Sequence, residues 1–292
     1  MIHNPRRRGL AAFVVSVFAL TFTAAPAAYA HDPKPGFNVF SADQEVQLGQ
    51  QAAADAERQL PMLNDRSVTS YVNSIVSRLA RVAPHRDYPY QAKVVNSSDI
   101  NAFALPGGFI YVHRGLIQAA RTEGELAGVL AHEMAHVALR HGTAQVSKAY
   151  AAQLGVGALG QILGGGRQNS QVWNVVGNLG LSTLFLKFSR NAEDEADSLG
   201  ARMMAEAGYN PIEMANFFDV LQAQQRRNPS SVEQFFSSHP APANRSQHIR
   251  SEAQSLGAGS SRRVGNLPSV QNRLRGMPAA RRATLRPSNR HR

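Results

Sequence analysis

The chain has 292 residues, of which 43% are hydrophobic and 17% charged, and 31 Lys and Arg against 20 Asp and Glu give a formal net charge of +11. This composition is typical of a folded globular protein with one large domain or two small ones, and it excludes wholesale disorder. The chain has no cysteine, which excludes a disulfide framework, a thiolate metal site, a cysteine nucleophile and a lipid-modified N-terminal cysteine.

The excess positive charge lies at the two ends of the chain. Residues 1–30 contain three arginines and no acid, and residues 251–292 contain nine arginines and one acid. Residues 31–250 contain 19 basic and 19 acidic residues, so this part has no net charge. The net positive charge of the whole chain is therefore not evidence for a nucleic-acid-binding surface on its central part.

The N-terminal segment has the three parts of a secretory signal peptide. Arg6 to Arg8 precede the apolar stretch 10–25, and Ala28-Tyr29-Ala30 forms an A-x-A cleavage site. We expect residues 1–30 to be a signal peptide that is cleaved after Ala30, with an uncleaved membrane anchor as the alternative.

Helical periodicity begins near residue 41. Ser41 and Gln44 form a predicted capping box for a first helix, and a second helix follows the turn 61–65, with apolar residues at spacings of three and four. Both helices precede the first β-like segment.

Two β-like segments follow, Tyr90 to Val95 and Phe109 to His113, and the Pro-Gly-Gly of 101–108 marks a turn between them. Most of the later sequence is helical, so we predict a mainly helical α+β fold. The apolar, Gly-rich segment 151–188 indicates a helical hairpin or a mobile lid, with membrane or partner contact as the alternative.

The helix that we predict to begin after Thr122 contains candidate metal-binding and catalytic residues. Thr122 and Glu125 form a predicted capping box, and the sequence His132-Glu133-Met134-Ala135-His136 lies inside this helix. Residues i and i+4 share a helix face, so both imidazoles can bind one metal ion, while Glu133 can approach a water molecule on it. The pattern predicts one catalytic Zn²⁺ per chain, and the alternative is a helix with two packing or solvated histidines.

A catalytic zinc needs a third protein ligand. We expect His141 to lie too close along the same helix to fold back as this ligand. Glu193 and Asp197 are i and i+4 on a helix predicted over 192–208, so one carboxylate can bind zinc while the other accepts the N–H of a ligating histidine. Glu195 projects to another face and is assigned to solvent or to a structural pair. Taken alone, an acidic cluster at a helix N-terminus is better explained by the helix dipole than by metal binding, but together with the histidine motif the ligand interpretation is favoured.

These residues resemble those of the zinc metallopeptidases of the HtpX, BepA, Oma and CAAX-prenyl-protease type, in which a His-Glu-x-x-His helix is completed by a Glu-x-x-x-Asp helix. The resemblance extends over about residues 40–250. Its other motifs are Asn101-Ala102-Phe103, Pro106-Gly107-Gly108, Ser189-Arg190, Ala207-Gly208-Tyr209-Asn210-Pro211 and His239-Pro240 with Arg245.

The resemblance implies a zincin-like metallopeptidase domain over 31–254 and a role for each motif residue. It assigns the metal to His132, His136 and Glu193, the support of a ligand to Asp197, and acid–base catalysis to Glu133. His239 is a second catalytic candidate, either as a donor to the transition state or as a latch on the open zinc position, and Arg245 is a weaker candidate donor. The resemblance implies no other cofactor.

The implied function is that of an exported zinc metalloendopeptidase, soluble or peripherally membrane-associated in the periplasm of a Gram-negative bacterium. Its substrates would be unfolded or misassembled envelope proteins, which is protein quality control. The resemblance makes 109–112 the edge strand of a small sheet that lines the active-site cleft, where substrate adds as another strand. The alternative function is a chaperone or assembly factor with a latched zinc site, which binds clients with little cleavage.

Residues 255–292 are rich in Ser, Gly, Pro, Asn and Arg and have no apolar period, so we predict a disordered Arg-rich tail. This tail can bind an anionic membrane surface or lipopolysaccharide, and the alternative is a solubilising extension. Because aromatic residues do not alternate with the arginines, no nucleic-acid partner is expected.

Overall fold

The computed structural model describes residues 33–85, 87–154, 187–240, 244–257 and 265–278. The predicted signal peptide and most of the segment 151–188 lie outside the described residues. Within the described ranges, no helix is long and apolar enough to cross a membrane.

Helices dominate the described part of the chain, which confirms the predicted α+β class. The helices are α1 Ala42–Gln59, α2 Arg66–Ala80, α3 Arg114–Ala119, α4 Glu123–Ala138, α5 His141–Leu154, α6 Arg190–Glu206, α7 Ile212–Arg227, α8 Glu233–Ser238, α9 Arg245–Ser255 and α10 Leu267–Arg275. The strands are β1 Gln91–Val95, β2 Ala102–Leu105 and β3 Phe109–His113, and short 3₁₀ turns span Pro106–Gly108 and Pro229–Ser231.

The three strands form one sheet in the order β1-β3-β2, with β1 parallel and β2 antiparallel to β3. The prediction that 109–112 is an edge strand is therefore wrong, because β3 is central and β2 lies at the edge. Gly107 and Gly108 adopt φ values of 71° and 97°, which only glycine takes readily. They turn the chain so that β2 forms an antiparallel pair with β3. The sequence analysis had assigned residues 102–105 to a turn region instead of a strand.

Side chains cap the two helices whose starts were predicted from capping boxes. At α1, Ser41 accepts a hydrogen bond from the Gln44 backbone, and Gln44 accepts one from the Ser41 backbone, which confirms the predicted box. At α4, Thr122 accepts from the Glu125 N–H, but the Glu125 carboxylate accepts from the backbone N–H of Arg121 instead. Only the hydrogen bond from the Glu125 N–H to the Thr122 side chain is therefore present, and the predicted reciprocal bond to the Thr122 N–H is not.

Helix α4 is the centre of the fold, because every one of its residues is buried. A Cβ on Gly128 would lie 2.7 Å from Met214 Cα of α7, and a Cβ on Gly200 of α6 would lie 3.2 Å from the Ala131 carbonyl carbon. These glycines bring α6 and α7 into close backbone contact with α4. The two sequence motifs therefore lie on facing helices in the core, where a polar group is stable only if it has partners.

The prediction of a disordered tail over 255–292 is wrong for the part that the structure describes. Helix α10 buries Leu267, Val270 and Leu274 in the main core, and buried Arg114 donates a 2.6 Å hydrogen bond to the Pro278 carbonyl. Three apolar residues among polar ones are too weak a period to indicate a helix by themselves. Their burial depends on a groove that distant parts of the chain create.

Candidate metal centre

Two histidines of α4 face one another in the core. His132 is fully buried and His136 is 4% exposed, and their Nε2 atoms are 3.1 Å apart. The i, i+4 spacing places both rings on one helix face, as predicted.

Two carboxylates of α6, those of Glu193 and Asp197, approach these histidines from the facing helix, and both are buried. Glu193 has one oxygen 3.3 Å from His136 Nε2 and the other 3.6 Å from His132 Nε2. Asp197 lies behind His132, with Oδ1 2.9 Å from the Nδ1 atom. One helix turn thus separates a carboxylate at the centre of the cluster from a carboxylate at its outer side.

His239, at the end of α8, lies in the same cluster. Its Nδ1 is 3.4 Å from His132 Nε2 and 3.1 Å from a Glu193 oxygen, and its ring stacks on Phe235 with centroids 5.0 Å apart. One ligand atom from each of His132, His136, Glu193 and His239 lies within 4.8 Å of the others. All four residues were candidates in the sequence analysis, but only the structure shows that His239 lies among the other three.

Glu133 lies beside the cluster and is almost completely buried. Its Oε1 is 3.5 Å from His239 Nε2 and has no hydrogen bond within the described structure. Burial raises the pKa of Glu133 above its ordinary value, and the imidazoles of His239 and His132 oppose this shift. A carboxyl group with a raised pKa can both accept and return a proton near neutral pH.

Arg245, the first residue of α9, binds the two buried carboxylates of α6. Its Nε and Nη2 bind the two oxygens of Asp197 at 2.7 and 2.8 Å, and Nη1 is 2.9 Å from Glu193 Oε2. Burial alone would raise the pKa of Asp197, but Arg245 and His132 lower it below its ordinary value. Sequence reasoning considered Arg245 only as a donor to the transition state and missed this ion pair, for which residue spacing contains no signal.

The donor set fits a zinc ion. Asp197 accepts the Nδ1–H of His132, so the Nε2 lone pair of His132 faces the cluster. His136 Nε2 and a Glu193 oxygen face the same point. Two imidazole nitrogens and one carboxylate are a common ligand set of catalytic zinc, and a carboxylate behind one imidazole fixes its tautomer.

His141 does not join the ligand group, as expected, but its ring folds back on His136. Helix α4 ends at Ala138, and Arg140 adopts a left-handed conformation with a φ of 59°. This turn brings His141 Nδ1 to 2.9 Å from His136 Nδ1, and His141 Nε2 lies 3.1 Å from a Glu195 oxygen.

The edge strand β2 lies next to the cluster. Ala104, Leu105 and Pro106 line a cavity together with His136 and Phe188. The Phe188 ring stacks on the His136 ring with centroids 4.1 Å apart and an interplanar angle of 20°. The cleft beside the cluster is therefore lined by an edge strand, but by β2 instead of the predicted 109–112.

Comparison with known proteins identifies the family. The sequence profile described as Peptidase family M48 matches residues 66–253, which include the whole cluster. The chain belongs to peptidase family M48. This membership confirms the resemblance that the motifs indicated, and the peptidases of the family depend on zinc.

Several M48 relatives are similar over most of the domain. The Beta-barrel assembly-enhancing protease of Escherichia coli (strain K12) is 31% identical over 223 residues, which are 75% of this chain and 46% of that protein. Metalloprotease LoiP of the same organism is 36% identical over 164 residues, 56% of this chain and 62% of LoiP. Mitochondrial metalloendopeptidase OMA1 of Schizosaccharomyces pombe is 30% identical over 220 residues, 73% of this chain and 62% of OMA1. The chain thus spans about half the length of the Beta-barrel assembly-enhancing protease.

Proposed function

We propose that the protein is an exported zinc metalloendopeptidase that hydrolyses peptide bonds in unfolded or misassembled envelope proteins. The observation that carries this proposal is the buried cluster of His132, His136 and Glu193, with the carboxylate of Glu133 beside it. Membership of peptidase family M48 and the metalloprotease names of its relatives support it.

In this mechanism His132, His136 and Glu193 hold the zinc ion, and Asp197 and Arg245 keep His132 and Glu193 in place. Zinc, when bound, supplies Lewis-acid activation of water and of the scissile carbonyl group. Glu133 accepts a proton from the attacking water molecule while the water oxygen bonds to the carbonyl carbon of the substrate. Glu133 then returns this proton to the amine nitrogen when the C–N bond breaks.

Substrate is proposed to add to the edge of β2 that faces away from β3. The His113 N–H donates to the Asn101 carbonyl, so alternation along the antiparallel pair directs the N–H and C=O groups of Ala104, which is partly exposed, away from β3. Ala104 also lines the cavity beside His136. An extended peptide can pair with these groups through its own backbone, and such pairing selects unfolded chains over folded ones.

The envelope role rests on the relatives and on the N-terminal sequence. One relative is named a Beta-barrel assembly-enhancing protease, and residues 1–30 have the composition of a secretory signal. Periplasmic export in a Gram-negative bacterium predicts a mature chain that begins at His31, which N-terminal sequencing of the secreted protein would establish. Binding of the terminal arginines to anionic lipid or lipopolysaccharide remains part of this proposal.

The position of His239 favours a second candidate function. Its Nδ1 lies among the proposed ligand atoms, 3.1 Å from Glu193 and 3.4 Å from His132, so His239 can serve as a fourth ligand that latches the site. A latched protein would act chiefly as a chaperone or assembly factor that binds clients with little cleavage. A donor to the transition state must instead lie where the oxyanion forms.

The test is cleavage of denatured casein, with zinc content measured on the same samples. Glu133→Gln should retain zinc and lose about 10²–10⁴-fold in rate, because only the proton acceptor is removed. Glu193→Ala should lose zinc. Chelator-sensitive cleavage by Glu133→Gln at the wild-type rate would refute the mechanism, and full zinc retention by Glu193→Ala would refute its ligand role.

The same assay separates the two roles of His239. His239→Ala should cleave casein faster than wild type if His239 is a latch, and more slowly if it stabilises the transition state. If wild type binds but does not cleave casein and His239→Ala cleaves it, the chaperone function with a latched site is favoured.

A further inference from the structure

His141 and Glu195 form a chain of polar contacts that ends at His136. The His141 ring is 8% exposed, and its Nδ1 lies 2.9 Å from His136 Nδ1, on the side of the His136 ring opposite the cluster. Its Nε2 lies 3.1 Å from Glu195 Oε2, and the Glu195 side chain is 35% exposed. Neither residue belongs to the group of ligand atoms around Glu193.

Only one arrangement of protons satisfies this chain when His136 binds a metal through Nε2. A ligating Nε2 must offer its lone pair, so the proton of neutral His136 resides on Nδ1. That N–H must donate to His141 Nδ1, which leaves the His141 proton on Nε2, where it donates to Glu195. The hydrogen-bonding pattern of His136, His141 and Glu195 is then fully determined.

The backbone is built so that His141 can reach this position. Arg140 takes a left-handed conformation, which costs free energy in a residue other than glycine, and its side chain is held by Glu45 of α1 at 3.0 Å. The turn directs the chain back over the end of α4. Phe188 covers the neighbouring face of His136, so packing and the His141 contact both act on its orientation.

We propose that His141, supported by Glu195, is a positioning residue that fixes the tautomer and ring orientation of His136 for zinc binding. The inference rests on the proposed ligand role of His136. It gives each histidine of α4 its own support: Asp197 for His132, and the His141–Glu195 pair for His136. Residues behind a metal ligand typically contribute about 10–100-fold to metal affinity.

Two substitutions of His141 separate hydrogen bonding from packing. His141→Asn places an amide oxygen near the position of Nδ1, so it keeps the acceptor for His136 but loses the ring. His141→Phe keeps a ring of similar size but loses the acceptor. We expect His141→Phe to lower zinc affinity about 10–100-fold and His141→Asn to stay within about threefold of wild type, measured by competition with a chromophoric zinc chelator.

Glu195 is tested in the same way, with a matched control on the same helix. Glu195→Ala removes the acceptor for His141 from a partly exposed position, so the fold should tolerate it, and we expect a loss of several-fold in zinc affinity. Glu206→Ala removes an exposed carboxylate from the last turn of α6 and should leave zinc affinity unchanged. The urea unfolding midpoint of the metal-free protein shows which variants remain folded.

The outcomes are distinct from those that test the proposed function. If His136→Ala retains zinc, the proposed metal site itself is wrong. If His136→Ala loses zinc while His141→Phe and Glu195→Ala bind it as tightly as wild type, the proposed function stands and the positioning role is refuted. Equal losses in His141→Phe and His141→Asn, with Glu195→Ala unchanged, would also refute it, because the ring and not the hydrogen bond would matter.

Discussion

Arg245→Ala tests whether the ion pair behind the cluster stabilises the protein. The guanidinium group binds both oxygens of Asp197 at 2.7 and 2.8 Å and approaches Glu193 at 2.9 Å. All three side chains are at most 1% exposed, so solvent screens their interaction little. The substitution leaves buried Asp197 without its strongest partner and removes a cation from beside buried Glu193.

The expected loss follows from this burial. Removing one partner of a buried ion pair costs about 3–5 kcal/mol in the free energy of unfolding. At about 2–4 °C of melting temperature per kcal/mol for a domain of this size, the metal-free protein should melt about 6–20 °C lower. The Arg245 guanidinium also lies over the Phe218 ring at 3.8 Å, a contact that disappears with it.

Urea unfolding of chelator-treated protein measures this difference, and α9 supplies a matched control. Arg250 pairs with Asp219 at 2.7 Å, but the side chains are 36% and 49% exposed, so Arg250→Ala should cost less than about 1 kcal/mol. Arg245→Lys keeps the charge but cannot bind both Asp197 oxygens in the same way, so it should fall between wild type and Arg245→Ala. A loss below about 1 kcal/mol in Arg245→Ala would refute the reasoning.

Three further predictions concern the core, and urea unfolding measures each. Leu274→Ala should cost about 2–5 kcal/mol, because α10 buries this side chain completely. Gly128→Ala should cost about 1–3 kcal/mol, since the new Cβ would lie 2.7 Å from a backbone atom of Met214 that cannot move aside. Burial lowers the pKa of His113 to about 4, so the unfolded chain binds a proton below pH 6.5 that the folded protein excludes. Wild type should therefore lose about 3 kcal/mol more than His113→Phe between pH 7 and pH 4.

Each of these predictions has its own control. Ser269→Ala on the exposed side of α10 should be neutral, and a similarly small effect of Leu274→Ala would mean that this helix does not pack on the domain. Nothing lies within 4 Å of a Cβ on Gly142, so Gly142→Ala should be neutral or slightly stabilising, and an equal response at Gly128 would contradict the steric argument. Equal pH dependence of wild type and His113→Phe would show that His113 does not titrate as burial requires.

The local sequence was sufficient for the parts of the site that lie on single helices. The four-residue spacing of His132 and His136, and of Glu193 and Asp197, places each pair on one helix face whatever the surroundings. The cap at Ser41 is likewise a contact between neighbours in the chain. For these features the covalent chain and the helix period are enough to predict the geometry.

Other features depended on which distant segments pack together. The sequence analysis considered both Arg245 and His239, but it could not place them. Only the packing of α8 and α9 on α4 and α6 puts Arg245 behind the carboxylates of Glu193 and Asp197, and His239 among the proposed ligand atoms. The contact of His141 with His136 was not predicted, because the left-handed turn at Arg140 has no signal in residue type.

The sheet and the C-terminal helix complete this contrast. Strand period predicts that 109–113 is a strand but not which strands lie beside it, since pairing is a contact between segments. Three apolar residues make α10 a helix only where a core exists to bury them. The sequence by itself therefore determined the motif helices, because these follow from local spacing, and its motifs resembled those of the family to which the chain belongs. The tertiary structure alone decided the edge strand, the buried arginine and the histidine contacts, because these depend on burial and on long-range packing.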